Sequence, residues 1–261
     1  MAMSALQIRE LLDENRYHDC EGVGRDHICV RIAAIAELPS RFGQFQVMAF
    51  WNNRDGKEHA AFVHGDVTDD QDVPVRLHSE CLTGDAIGSL RCDCRDQLEA
   101  ALKTLGGMEK GILLYLRQEG RGIGFLNKIR AYGLQDHGMD TVEANLALGF
   151  RDDERDYSVA AHMLMSLKVK SIRLMTNNPR KIGGLQDLGI TVSGRIPLII
   201  PPNPYNRFYL ETKKQKSGHM LGGQQDAAPG VPPGFKRLAE QLDRPVLEGM
   251  SPERVLDSQD D

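Results

Sequence analysis

Residues 76–94 read Arg-Leu-His-Ser-Glu-Cys-Leu-Thr-Gly-Asp-Ala-Ile-Gly-Ser-Leu-Arg-Cys-Asp-Cys, which puts Cys81, Cys92 and Cys94 in one short segment with His78 and Glu80 beside them. Arg91, Asp93 and Arg95 interleave with the cysteines, a poor composition for ordinary buried thiols. Metal ligation is the better reading. Three thiolates can hold Zn²⁺ and leave its fourth tetrahedral position for water, as a catalytic zinc requires. Alternatively His78 or another residue closes the shell and the metal only staples a loop; spacing alone leaves both open.

Length and composition bound what can surround this segment. A chain of 261 residues suffices for one large domain or two small ones, and 41% hydrophobic against 26% charged residues is ordinary for a globular chain. The 37 Asp and Glu outnumber the 32 Lys and Arg, giving a formal net charge of -5. That balance disfavours an extended nucleic-acid surface but leaves room for a compact basic pocket. The sequence has no signal-peptide pattern and no long apolar run, so a cytoplasmic protein without membrane contact is expected. Zinc or catalysis suits its cysteines better than disulfides, and Cys20 and Cys29 are read as packed thiols.

Residues 1–36 read as an N-terminal extension, with Leu6, Ile8, Leu11 and Leu12 on a short amphipathic helix. Strands are expected at 28–32, 45–51 and 58–64, an antiparallel lead-in, and at 73–77, which delivers the chain to the cysteines. A helix of period 3.6 follows at 97–105, stopped by Gly106 and Gly107. The apolar run 111–116 reads as a strand buried on both faces of a parallel sheet.

Between that strand and a helix at 126–135 lie Gly120, Gly122 and Gly124, an arrangement that offers backbone N–H groups to phosphate. Their spacing is G-x-G-x-G rather than G-x-G-x-x-G, and no strand leads to Asp140, which excludes a dinucleotide fingerprint. Arg117, Arg121, Lys128 and Arg130 bring cations to the loop, which suits a triphosphate. Helices at 141–150 and 157–169 flank a mixed-charge loop, 151–156, with Asp156 as a candidate cap. The strand 171–176 ends in Asn177-Asn178-Pro179, a turn where open α/β sheets bind ligands, and Lys181 lies just beyond. Residues 189–200 are strand-rich, 205–221 polar and helical, and 222–261 are expected to form a largely disordered C-terminal tail. The expected fold is α/β, a mixed sheet flanked by helices with an antiparallel N-terminal lead-in. Its catalytic domain is placed at 37–221.

The segments 76–85, 90–94, 117–124, 140–145 and 176–179, in this order, resemble GTP cyclohydrolase II, with similarity over about 37–221. The resemblance implies the first committed step of riboflavin synthesis, in which the imidazole ring of GTP is opened, C8 leaves as formate and pyrophosphate is released. It implies one zinc per chain on Cys81, Cys92 and Cys94. Substrate contacts then fall on Arg76, Leu77, His78, Ser79, Glu80, Gln97, Glu119, Gly120, Arg121, Thr141, Thr176 and Lys181. Tyr132 matches the family tyrosine that assists hydrolysis by proton transfer or water positioning.

The Asp153 and Arg155 positions are assigned to pyrophosphate release, Arg155 as nucleophile toward the α-phosphorus and Asp153 as proton acceptor. Because a guanidinium stays protonated, charge stabilisation is the more natural task for Arg155. Mg²⁺ accompanies the triphosphate. A homodimer is implied, and 36 leading residues are too few for the dihydroxybutanone-phosphate synthase domain of bifunctional relatives. Two other classes compete. A zinc nucleobase deaminase shares His78-x-Glu80 but needs a Pro-Cys-x-x-Cys that this sequence lacks. A zinc-stapled nucleotide- or RNA-binding module leaves the loop 153–155 unexplained.

Overall fold

A computed structural model describes residues 2–16, 27–206 and 210. Its strands are β1 (Val30–Ser40), β2 (Gly43–Asn52), β3 (His59–His64), β4 (Val73–Ser79), β5 (Gly111–Leu116), β6 (Ile172–Met175) and β7 (Val192–Ile196). Its helices are α1 (Ala5–Arg16), α2 (Cys94–Gly106), α3 (Gly124–Asp136), α4 (Thr141–Ala147), α5 (Ser158–Ser166) and α6 (Pro179–Gln186). The strands form one sheet in the order β1-β2-β3-β5-β4-β6-β7. Pairing is antiparallel from β1 through β3 to β5 and parallel from β5 through β4 and β6 to β7. This is the expected mixed α/β sheet with its antiparallel lead-in.

The apolar run of β5 has neighbours on both sides and cover on both faces. Ile112, Leu114 and Leu116 belong to a core shared with Val159, Met163 and Leu164 of α5 and Leu185 of α6; Leu113 points the other way, to Ala101 and Leu105 of α2. The two-residue period of a strand divides the residues between these layers. On β4 the same period sends Val73, Val75 and Leu77 into the α5 side. Arg76 and His78 therefore emerge on the opposite face, where the candidate site lies.

Several boundaries differ from the expectation for identifiable reasons. The lead-in hairpin is longer, because β1 pairs with β2 from Val30 opposite Asn52 to Ser40 opposite Gly43, with a bulge between Ile32 and Ala34. This pairing carries β1 across residue 37. The helix expected to run to 169 stops at Ser166, since Lys168 adopts a left-handed φ of 56°. The segment 141–150 shortens to α4 and leads to Gly149 at φ 84°. Helix α6 was read only as a turn, yet Asn178 caps it by accepting the Arg180 N–H, and Pro179 occupies its first turn.

Cys29, expected as a packed thiol, is disulfide-bonded. Cys20, most of the expected helix at 205–221 and the tail 222–261 lie outside the described residues. Among the described residues, no helix is long and apolar enough to cross a membrane.

Candidate active site and metal centre

In parallel α/β sheets, ligands bind beyond the carboxyl ends of the strands. Here the ends of β4, β5 and β6, with α2, α3, α4 and the loop 151–156, enclose a cavity of about 150 Å³. It is lined by Cys81, Cys92 and Cys94 and by every other expected site residue except Leu77. Leu77 sits in the core because of the strand period, and only its backbone faces the site, its carbonyl accepting from Lys181 Nζ at 2.9 Å.

Two features bring the thiols together. A π-helical turn, Leu82–Ala86, folds the chain back after Cys81, and Cys94 opens α2. The three sulfurs lie within 4.8 Å of one another, and Cys81 and Cys92 are 3.7 Å apart. Thiolates at ~2.3 Å from a tetrahedral zinc stand about 3.8 Å apart, so the cluster has the right size. A Cβ on Gly84 would come within 2.8 Å of Cys92 Sγ and 3.0 Å of Cys81 Sγ, so only glycine leaves this space open. The donor set is soft and borderline, as zinc prefers.

The Cys81 thiol is held below its ordinary range by hydrogen bonds from Cys92 and Cys94 and by Lys128, whereas the shared proton pushes Cys92 up to about 11. His78 does not join the sulfurs. Both Asp85 carboxylate oxygens lie 3.0 Å from its Nε2, and its ring stacks on Tyr115 at 5.5 Å. Burial holds the His78 imidazole below its usual pKa. Asp85 also accepts the Cys81 N–H at 3.0 Å and the Tyr115 hydroxyl at 2.8 Å.

The opposite wall is cationic. Arg76 is buried and donates to Gln97 at 2.5 Å and to the Met175 carbonyl at 3.1 Å; burial brings its pKa down to about 10, still charged at neutral pH. Arg155 makes a two-pronged ion pair with Asp153, at 2.7 and 2.5 Å. Arg121 and Arg180 both donate to Asp152. The Gly-rich turn Glu119–Gly122 packs directly on this loop: Gly122 has φ 95°, and a Cβ there would lie 2.9 Å from the Glu154 backbone.

Glu119 ties the turn to the cysteine segment, accepting from Leu82 N at 2.6 Å and Gly120 N at 2.9 Å. The Tyr132 hydroxyl lies 3.4 Å from Thr83 Oγ1, which is 3.7 Å from Cys81 Sγ, and burial raises the phenol to about 12. Thr141 opens α4 behind an Asp140–Glu143 capping box, and Thr176 is buried at the end of β6.

The sequence pattern of the GTP cyclohydrolase II family matches residues 31–197. The chain belongs to the GTP cyclohydrolase II family. It is 57% identical to GTP cyclohydrolase-2 of Picrophilus torridus over 186 residues, covering 71% of this chain and 96% of the relative. Against GTP cyclohydrolase-2 of Tolumonas auensis identity is 58% over 192 residues, 74% of this chain and 98% of the relative. The riboflavin biosynthesis protein RibBA of Synechocystis is 53% identical over 221 residues, 84% of this chain but 38% of that longer protein.

Membership of this family of hydrolases makes the chain an enzyme. The cavity of this GTP cyclohydrolase II family member also contains residues that sequence reasoning passed over. Asn145 lines it, and its side-chain Nδ2 has no hydrogen-bond partner among the described residues. Asp85 lies just behind the cavity wall, hydrogen-bonded to the Cys81 N–H. Asp85 had no signal beyond its place in the cysteine segment: His78 and the Cys81 N–H belong to that segment, but the Tyr115 hydroxyl that joins them comes from β5.

Proposed function

We propose that this chain hydrolyses GTP, opening the imidazole ring with loss of formate and pyrophosphate to leave a diaminopyrimidine ribosyl monophosphate, in riboflavin synthesis. The observation that carries this reading is one cavity holding three clustered thiols on one wall and Arg76, Arg121, Arg155 and Lys181 on the other. Family membership and the names of the relatives support it. A zinc ion held by Cys81, Cys92 and Cys94 would supply a Lewis acid that makes water nucleophilic near neutral pH.

The chain's own residues do the rest. Arg76, Arg121 and Lys181 bind and orient the triphosphate, whose Mg²⁺ arrives with it. Gln97 fixes Arg76, and Glu80, beside Cys81, contacts the base or steadies the ligand loop. Tyr132, protonated at neutral pH, donates a proton or positions water on the thiol side. Arg155 is locked in its ion pair and serves as fixed positive charge where pyrophosphate leaves, with Asp153 holding it.

Exposed Ile87, Leu126 and Leu146 sit on elements that build the site and support a homodimer.

The purified chain, given GTP and Mg²⁺ with and without a zinc chelator, should yield formate and pyrophosphate together, both lost with the chelator. Ammonia without formate would transfer the reading to deamination, and an absence of turnover would reject it. Cys81→Ser should abolish zinc content and turnover together; an active zinc-free variant would overturn the metal assignment. Arg155→Ala should block pyrophosphate release, and unchanged products would remove Arg155 from the reaction.

A further inference from the structure

Sequence placed Lys128 among the cations that suit a phosphate. The fold turns it elsewhere. Lys128 lies on α3, is 7% exposed, and directs its ammonium 2.7 Å from Glu119 Oε1 and 3.1 Å from Cys81 Sγ. Tyr132 covers it, with the ring centre 5.7 Å from Nζ. Glu119 is itself fixed by the Leu82 and Gly120 N–H groups, so the ammonium is held from behind and aimed at one sulfur of three.

We propose that Lys128 is a positioning residue that acts through Cys81: its N–H···S bond draws electron density from that sulfur and makes a metal bound there a stronger Lewis acid. This rests on the zinc reading above. An ammonium has three donors, and here one goes to carboxylate and one to sulfur. A thiolate that receives a charge-assisted hydrogen bond is a weaker donor to a metal than one that does not. Only Cys81 receives Lys128 among the three thiols, which makes the cluster electronically unequal although its residues are alike. A role in binding the triphosphate is disfavoured, because these contacts and its burial turn the charge toward the metal side.

The test loads the chain with cobalt(II) and compares it with Lys128→Met, which keeps the apolar stem and removes the donor. The sulfur-to-cobalt charge-transfer band should move to longer wavelength in the variant. With the zinc enzyme, kcat should fall on the order of 10–100-fold while KM for GTP stays unchanged. An unmoved band overturns the proposal, and so does a raised KM with unchanged kcat, the signature of a lost phosphate contact.

Lys128→Met leaves Glu119 buried without its cation, so the pair Glu119→Gln and Glu119→Gln/Lys128→Met gives the same spectroscopic comparison without an unpaired charge. The spectrum needs no turnover. A chain that binds cobalt at the cysteines yet does not consume GTP would remove the proposed function and leave this inference to the band.

Discussion

The Asp85 carboxylate collects the Cys81 amide, the His78 ring nitrogen and the Tyr115 hydroxyl, and so fixes the loop between the first thiol and the other two. An ionised carboxylate can accept from all three, whereas a carboxamide has one accepting oxygen and an NH₂ that meets donors head-on. Asp85→Asn should therefore cost about 1–3 kcal/mol, read from urea unfolding, and should also speed metal loss to a chelator. An unchanged midpoint and unchanged metal retention would show that the loop holds itself.

Asp153 gives a pH prediction at the same scale. Burial alone would raise its carboxyl, but the hydrogen bonds and charge of Arg155 hold it below the ordinary carboxylate value. A carboxyl depressed in the folded chain stabilises the fold above its unfolded pKa, and that contribution fades as pH falls through the folded value. Below about pH 4 the parent chain should therefore lose stability more steeply than Asp153→Asn. Parallel acid-unfolding curves for the two would show that the pair contributes nothing to the fold.

At the scale of elements, one strand sorts the site. The alternation on β4 sends Arg76 and His78 to the cavity and Leu77 to the core, although the resemblance groups all three as substrate contacts. The glycine turn after β5 shows a different constraint. Gly122 combines a left-handed φ with contact against Glu154, so the turn and the mixed-charge loop fit only if this position lacks a Cβ. Gly122→Ala should displace Arg121 and the Asp153–Arg155 pair and lower kcat/KM for GTP by an order of magnitude or more, a 1 Å misplacement being enough for such a loss. Full activity in that variant would mean that the two loops move independently. Both loops were recognised in the sequence as chemically dense, but nothing in either predicted that they touch.

For the whole molecule, the parallel half of the sheet decides where chemistry is possible, and the antiparallel half braces it. β5 is the hinge between them, pairing antiparallel with β3 and parallel with β4. Leu114 is fully buried at that junction, so Leu114→Ala should destabilise the chain by about 2–5 kcal/mol in denaturant unfolding. A smaller loss would mean that the two layers relax around the cavity. Because Leu114 faces α5 and away from the cavity, the folded fraction should keep its KM for GTP.

The sequence by itself determined the strand and helix types, the mixed α/β class and the thiol cluster, because periodicity, glycine placement and cysteine spacing are local properties. It also carried the resemblance that linked five motifs to one family. What only the tertiary structure decided depends on pairs far apart in the chain. Leu77 belongs to the core because of the face that α5 covers, and β1 runs to Ser40 because β2 gives it partners. Lys128 reaches a sulfur 47 positions away as well as Glu119 of the adjacent glycine turn. A charge on a helix can be read as solvent-facing, ligand-binding or paired until the fold shows which neighbour satisfies it; burying it fixes the answer, because an unpaired buried charge is too costly to keep.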